Sequence, residues 1–488
     1  MNLTLSYAAP SQITTRGLES LFSLAPNIRR APVFFDGALK SPLLVRDAML
    51  CLHDVVTSDF DTRLSAADWE RILDPVATVA PDQLFFEAFS QDESSYGRVA
   101  LRESALGGVD EFQTGTTNVD FTPKLADAIG AMRSTSSARF RVDPESFGVS
   151  VAGQKAHREK KVKLPPSWLR GFLNVQSAMT GELASFEMSR ADLRNILAFL
   201  KTHKERFGPR ALVFKLVPGE RVRALFEPWN HEIVLPGSTF HGAQATEVRL
   251  FGRRRLFLLN RILPKMTRLQ VFLAGSGLPS FWIAQLGDEA SFQLAISGWT
   301  TRPFASSNLH LADSQEKIET ELLSRARAAL RSDETLSTDE LTRTLNVAPA
   351  QGKRMLNLLC AQGQAMFDLE RRAYRKREVF DVPLDDLGLE PDSKRLSDAH
   401  ELVASGGVKV EKSQAGLFST QVAGQVRGSS GDYQTAITLD GDGKIVDGDC
   451  SCPWFGFNQL KGGPCKHILA LREAASGAAK TEAWWELV

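Results

Sequence analysis

Asp449-Cys450-Ser451-Cys452-Pro453, followed after eleven residues by Cys465-Lys466-His467-Ile468-Leu469-Ala470-Leu471, is the stretch whose reading decides how the end of this chain folds. Side chains two apart on a strand point to one face, so Cys450 and Cys452 can reach a single ion from a strand end. Gly462, Gly463 and Pro464 keep the backbone non-helical up to Cys465. The apolar run after it predicts a helix with His467 in its first turn. The spacing is C-x-C, twelve residues, then C-x-H. Three sulfurs and one imidazole nitrogen form the closed tetrahedral donor set that suits Zn²⁺. With four protein donors and no position left for an activated water, the expected role of the metal is structural, and no catalytic residue is expected.

Upstream of this motif, three alternating strands are expected: Gly416 to Arg427, Tyr433 to Leu439 and Lys444 to Asp449. The last two are joined by the tight Asp440-Gly441-Asp442-Gly443 turn. A short helix near Leu396 to Val403 precedes them. Further upstream, Ile318, Leu322, Ala326 and Leu330 recur at four-residue spacing, which predicts one helix face. Ser337-Thr338-Asp339-Glu340 has the capping-box pattern of a second helix. Pro349 opens a third, with Gly363 as its stop. The segments around Ala365 to Leu369 and Ala373 to Arg377 read as a hairpin. Three helices and a hairpin are the order of a winged helix-turn-helix.

The first 310 residues mix helices and strands. An apolar helix is expected from Leu43 through Val56, and buried strands at Gln83 to Phe89, Arg210 to Val217 and Leu269 to Leu273. Ala138 to Val151 alternates like a strand. Ser189 is placed to cap a helix carrying Leu193, Ile196, Leu197 and Leu200. No internal repeat of fixed period is visible. The expected fold class is multidomain α/β and α+β, in four units: 1–160, 161–310, a winged-helix-like 311–385, and 386–488 with the finger at about 416–475.

Composition sets bounds. The chain of 488 residues has 58 acids and 58 bases, so its net field gives no general attraction for nucleic acid or anionic membrane. It shows no signal-peptide pattern and no apolar run of about 18 residues, and an odd number of cysteines is a poor disulfide framework. A cytoplasmic protein is expected.

With its C-x-C and C-x-H pairs, strands before and helix after, the segment 416–475 resembles the SWIM-type zinc finger. Asp74 to Val79, Glu87 to Tyr96, Gly115 to Phe121, Phe226 to Asn230 and Gly252 to Leu256 are similar to stretches of a bacterial SWIM-finger protein family of about this length. The resemblance implies a zinc-binding protein often encoded beside a MoxR-type AAA+ ATPase and a von Willebrand A-type protein. It implies no established enzymatic activity, and it leaves protein interaction and nucleic-acid binding both open.

Other signals have plainer readings. Cys51 and His53 sit two apart in a helix and cannot share an ion. Asp440 and Asp442 start like a calcium loop, but position 451 is Ser451 where the twelfth ligand should be Glu. Asp82, Glu87, Asp92 and Glu93 are expected to form a solvated acidic edge rather than a metal site. From Arg249 to Arg268 there are seven bases and no acid, including Arg253, Arg254 and Arg255. A solvated helix face is the plain reading, and anion or partner binding the other. The function expected is a non-catalytic interaction module or adaptor for a protein partner. The alternative is a DNA- or RNA-binding protein using the finger, the winged helix and Arg253 to Arg255.

Overall fold

The computed structural model describes the chain other than residues 1–11, 17–18, 24–32, 61–74, 119–120, 136, 144–145, 153–155, 161–165, 206–209, 299–303, 305–318, 379–392, 417–418, 429, 441–444, 459–463 and 482–488. The Gly441-Asp442-Gly443 turn, Ile318, and Gly462 with Gly463 therefore lie outside the described residues.

After a hairpin of β1 (Gln12–Arg16) and β2 (Glu19–Ser23), the chain runs β3 (Phe34–Leu39), α1 (Pro42–Val56), β4 (Val76–Ala80), β5 (Gln83–Phe89), β6 (Ser95–Arg102), β7 (Leu106–Gln113), β8 (Gly115–Asn118), α2 (Pro123–Gly130), β9 (Ala138–Asp143), β10 (Ser146–Val151) and β11 (His157–Lys160). Ala138 to Val151 is thus two antiparallel strands rather than one. Helix α3 (Pro166–Met179) leads to β12 (Ala184–Met188), α4 (Arg190–Thr202), β13 (Leu212–Leu216), β14 (Arg221–Phe226), β15 (His231–Thr239) and β16 (Thr246–Leu250). A 3-10 helix, Arg253–Asn260, and β17 (Arg268–Leu273), β18 (Ser280–Leu286) and β19 (Ala290–Ile296) complete this part. Ser189 caps α4, its hydroxyl accepting from the Asp192 amide at 3.1 Å.

These two stretches repeat one plan: strand, helix, a group of strands, helical segment, three strands. In each, the first strand pairs with the first of the closing three, β3 with β9 and β12 with β17. The repeat lies in architecture, which explains why no period is visible in the residues. The halves are stitched where β6 pairs antiparallel with β19, from Ser95↔Ile296 to Leu101↔Ala290. One eight-stranded sheet results, in the order β12-β17-β18-β19-β6-β5-β4-β8. A single hydrophobic cluster runs through residues of both stretches, so 1–160 and 161–310 share a sheet and a core.

Strand β5 is buried along its whole length because both sheet faces are covered. On one face lies α1, which turns Val45, Ala48, Met49, Leu52 and Val55 inward. On the other, Phe85 and Ala100 meet Met366. Met366 belongs to the next unit: α5 (Thr320–Asp333), β20 (Thr335–Leu336), α6 (Thr338–Leu345), α7 (Pro349–Ala361), β21 (Ala365–Asp368) and β22 (Ala373–Lys376). The Ser337–Glu340 capping box is formed in both directions. The inward face of α5 is Leu323, Ala326 and Leu330, with Leu322 only half-buried.

The C-terminal unit comprises α8 (Ser393–Ala404), β23 (Val408–Ala415), β24 (Ser419–Gly428), β25 (Gly431–Asp440), β26 (Ile445–Cys450), α9 (Pro453–Asn458) and α10 (Lys466–Thr481). Its antiparallel sheet has the order β23-β24-β25-β26, one strand more than expected. Val422, Val426, Ile437 and Ile445 bury one face under Ile468 and Leu471 of α10. Among the described residues no helix is long and apolar enough to cross a membrane.

Candidate metal centre

Ladder pairing of β25 with β26 runs to Thr435↔Cys450, so the strand delivers Cys450 at its last position. The ladder ends there. Cys452 is not on the strand as expected; it stands at the head of α9. Its carbonyl accepts from the Gly456 amide at 3.0 Å, and its sulfur from the Phe455 amide at 3.3 Å. Pro453 at the first helical position was the available signal for this helix, since proline there loses no hydrogen bond. Cys465 stands likewise at the head of α10, where the Leu469 amide donates to its carbonyl at 3.1 Å. His467 lies in the first turn of α10, as the spacing predicts.

The three Sγ atoms and one imidazole nitrogen all lie within 4.8 Å of one another, and all four residues are buried. His467 Nδ1 is 3.8 Å from Cys450 Sγ and 4.0 Å from Cys465 Sγ. A tetrahedron with Zn–S of about 2.3 Å has sulfur–sulfur edges of about 3.7 Å. The donor set is therefore close to the size that one zinc ion would impose. Nδ1 is the ring nitrogen that faces the sulfurs. The other ring nitrogen, Nε2, is buried without a hydrogen-bond partner, packed near Tyr433 and Gly428. A Cβ on residue 428 would run into the Tyr433 ring and come within 3.2 Å of Nε2, so Gly428 chiefly leaves room for the Tyr433 ring that packs on the imidazole.

Electrostatics favour a cation here. The Cys465 thiol donates to Cys450 and, against the effect of burial, holds the Cys450 thiol well below its ordinary value; His467 and Thr435 help. The same contact, with burial, pushes Cys465 far up, and burial also raises Cys452. The opposed shifts show three sulfurs crowded into one site, each bearing on the ionisation of the others. Backbone amides of Cys452, Phe455 and Ile468 each donate toward one sulfur, and the N-termini of α9 and α10 add positive potential.

Charged residues elsewhere are placed otherwise than expected. Asp82, Glu87 and Asp92 do not form a solvated edge. Glu87 and Arg377 are both fully buried, with Arg377 Nη1 2.9 Å from each carboxylate oxygen. Tyr96 adds its hydroxyl to Glu87 at 2.6 Å. Arg375 bonds Asp368 at 2.6 Å and clasps Asp82 at 2.8 and 2.9 Å; Arg98 reaches Asp368 at 3.3 Å. Asp92 is held by the hydroxyls of Ser90 and Ser94. The arginines of β22 and the residue after it are thus consumed in docking the hairpin onto β5 and β6. A lone Glu in an otherwise apolar strand, Gln83 to Phe89, was the signal for a buried counter-ion.

The three arginines at 253–255 separate likewise. Arg253 is buried and donates to the carbonyls of Ala211 and Glu227 at 2.7 and 2.6 Å. Arg255 is fully buried and donates to the carbonyls of Ser94 and Ser297, each at 2.6 Å. Only Arg254 is exposed. Cys51 sits in α1, its thiol donating to the Leu258 carbonyl at 3.1 Å, away from the His53 ring in keeping with the helical reading.

Residues 433–474 match the SWIM zinc finger family, a stretch that takes in most of β25, all of β26 and α9, the first part of α10 and all four clustered residues. A solved structure, proliferating cellular nuclear antigen from Entamoeba histolytica, aligns with 54% of this chain and 98% of its own, at 12% identity and a TM-score of 0.37. No curated protein matches the chain.

Proposed function

We propose that this protein is a non-catalytic interaction module whose C-terminal unit is held in shape by one zinc ion bound through Cys450, Cys452, Cys465 and His467. With four protein donors no coordination position is left for substrate or water, so the metal organises structure and performs no hydrolysis.

The observation that carries the interaction reading is what the cluster displays. Cys452 begins α9, and on that helix Phe457 is 90% exposed and Trp454 is 36% exposed. Arg395 stacks over the Trp454 ring at 4.8 Å. Aromatic side chains in water beside arginine are the usual composition of a protein-binding patch. Zinc therefore fixes the position of an aromatic contact surface. The partner is proposed to be a protein, of the MoxR-type AAA+ ATPase or von Willebrand A-type class that the sequence resemblance implies, inside the cytoplasm.

The nucleic-acid alternative, with residues 320–376 read as a winged helix, is weakened by geometry. The hairpin that would serve as a wing spends Arg375 and Arg377 on buried carboxylates, and Arg253 and Arg255 face the interior. The test is recovery of partners from the native host on the full-length protein, with and without nuclease, beside Phe457→Ala. A host ATPase retained after nuclease and lost with Phe457→Ala supports the proposal. Recovery that nuclease abolishes moves the assignment to nucleic acid.

A further inference from the structure

A cleft of about 650 Å³ opens among α1, α4 and the 3-10 helix, far in sequence from the metal cluster. That volume lies within the roughly 300–1,000 Å³ of sites for small ligands. Lys201 and Lys204 reach its wall from the end of α4 and the residues after it, and Arg254 from the 3-10 helix. None of the three has a hydrogen-bond or ion-pair partner among the described residues. Asp54, the acid on the same wall, is already clasped by Arg261 at 2.6 and 3.0 Å. Among the described residues the cleft thus concentrates three cations with no acid paired to them. Their neighbourhood is crowded with positive charge: burial, followed by the charges of Arg254 and Arg210, pushes Arg253 down to about 10.

The remaining wall has a different character. Phe60 and Phe257 are half-buried there, with Leu200 and Leu258 beneath and the Asn260 amide at the rim. Cations alone would suit any anion. Cations next to aromatic faces suit a ligand with phosphate at one end and a flat ring at the other, since nucleic-acid bases stack on phenylalanine.

We propose that this cleft binds a nucleotide unit, with its phosphates on Lys201, Lys204 and Arg254 and its base against Phe257 or Phe60. The three cations are exposed, and among the described residues they are engaged by no other side chain that an anion would have to displace. Arg253 and Arg255 hold the 3-10 helix from inside, which fixes Arg254 on its outer side. The ligand is either a free nucleotide or a nucleotide within a single strand, because both present the same phosphate and base. This site is independent of the zinc-held unit and of the partner proposed for it.

The experiment uses the full-length, zinc-replete protein and isothermal titration at low salt with ATP, with inorganic pyrophosphate and with an oligothymidylate. ATP is expected to bind more tightly than about 1 mM, and pyrophosphate at least about tenfold more weakly than ATP, a difference of about 1.4 kcal/mol. Lys201→Ala with Lys204→Ala and Arg254→Ala should weaken ATP at least tenfold. Of Phe257→Ala and Phe60→Ala, at least one should weaken ATP while leaving pyrophosphate unchanged. Lys124→Ala with Lys265→Ala, exposed cations off the cleft wall, should leave ATP binding as it was. Tighter binding of the oligothymidylate than of ATP, lost in the triple variant, assigns a strand; the reverse order assigns a free nucleotide. No heat with ATP or oligothymidylate at millimolar concentration overturns the proposal. Affinity unchanged in the triple variant, or in Lys201→Glu with Lys204→Glu should the triple variant unfold, overturns it as well.

Discussion

Replacing Arg377 with Met tests how the 320–377 unit is fastened to the sheet. Arg377 and Glu87 are both fully buried, and Nη1 meets both carboxylate oxygens at 2.9 Å. Methionine keeps most of the side-chain volume under the Phe172 ring, over which the guanidinium sits at 4.9 Å. What it removes is the counter-charge. Glu87 is then left with the Tyr96 hydroxyl alone. Breaking one partner of a buried pair costs about 3–5 kcal/mol, because the other charge stays desolvated. Glu87→Gln should cost a similar amount by stranding the guanidinium, two of whose nitrogens already lack partners. The double variant buries no unpaired charge and should cost less than the sum, with a coupling of about 2–3 kcal/mol. The assay is hydrogen exchange of β5 and β22 amides, where a loss of about 3 kcal/mol accelerates opening roughly 100-fold. Single variants whose effects add to within about 0.5 kcal/mol, or an Arg377→Met protein with wild-type protection, would refute the idea that this ion pair fastens the two units.

Four further outcomes are expected. Burial alone would raise Asp368, but Arg98 and Arg375 overcome it and hold its carboxyl far below the ordinary value. A depressed carboxyl contributes stability above its unfolded pKa of about 4 and loses it as pH falls, so docking should weaken on acidification below about pH 4. Asp368→Asn should flatten that acid limb in a pH series of hydrogen exchange. Purified protein should carry about one zinc per chain by elemental analysis; Cys465→Ala or His467→Ala should abolish it and unfold the unit spanning β23 to α10, since structural zinc contributes on the order of 10 kcal/mol. Full zinc content with Cys450→Ala and Cys452→Ala together would sink the assignment. Cobalt in place of zinc should give the visible spectrum of a tetrahedral thiolate site, and a shift on adding azide before metal is lost would mean an open coordination position. On duplex DNA at about 150 mM salt, gel-shift affinity should be no better than micromolar. Nanomolar, sequence-selective binding would instead promote the nucleic-acid reading.

The metal cluster was legible because its geometry is local. Spacing in the chain alone brings the C-x-C and C-x-H pairs within reach of one another, with one sulfur at a strand end and a sulfur and nitrogen at a helix start; the place of Cys452 at the head of α9 was not foreseen. The capping box at Ser337 and the cap at Ser189 were legible for the same reason. Arg253 and Arg255 were misread because their partners, Ala211, Ser94 and Ser297, are distant in sequence. An arginine among apolar residues looks alike whether it faces water or spends its N–H groups on buried carbonyls. Glu87 failed similarly, its counter-ion lying 290 positions away. The duplicated plan of the first two stretches escaped because strand pairing constrains polarity and alternation, not residue identity.

The seam between β6 and β19 has a consequence for how the protein is made. Leu101 and Ala290, the pair at its near end, are 189 positions apart. At roughly 5–20 residues per second, a ribosome needs about 10–40 s to supply the second strand after the first. Throughout that interval Ser95 to Leu101, bearing Tyr96, Val99 and Leu101, has backbone donors and acceptors with no ladder on one side. Newly made chains emerging in a crowd can pair through that edge with each other instead of waiting for their own β19. Yield of correctly folded protein should therefore depend on the rate of synthesis and on holding chaperones more than on the stability of the finished fold.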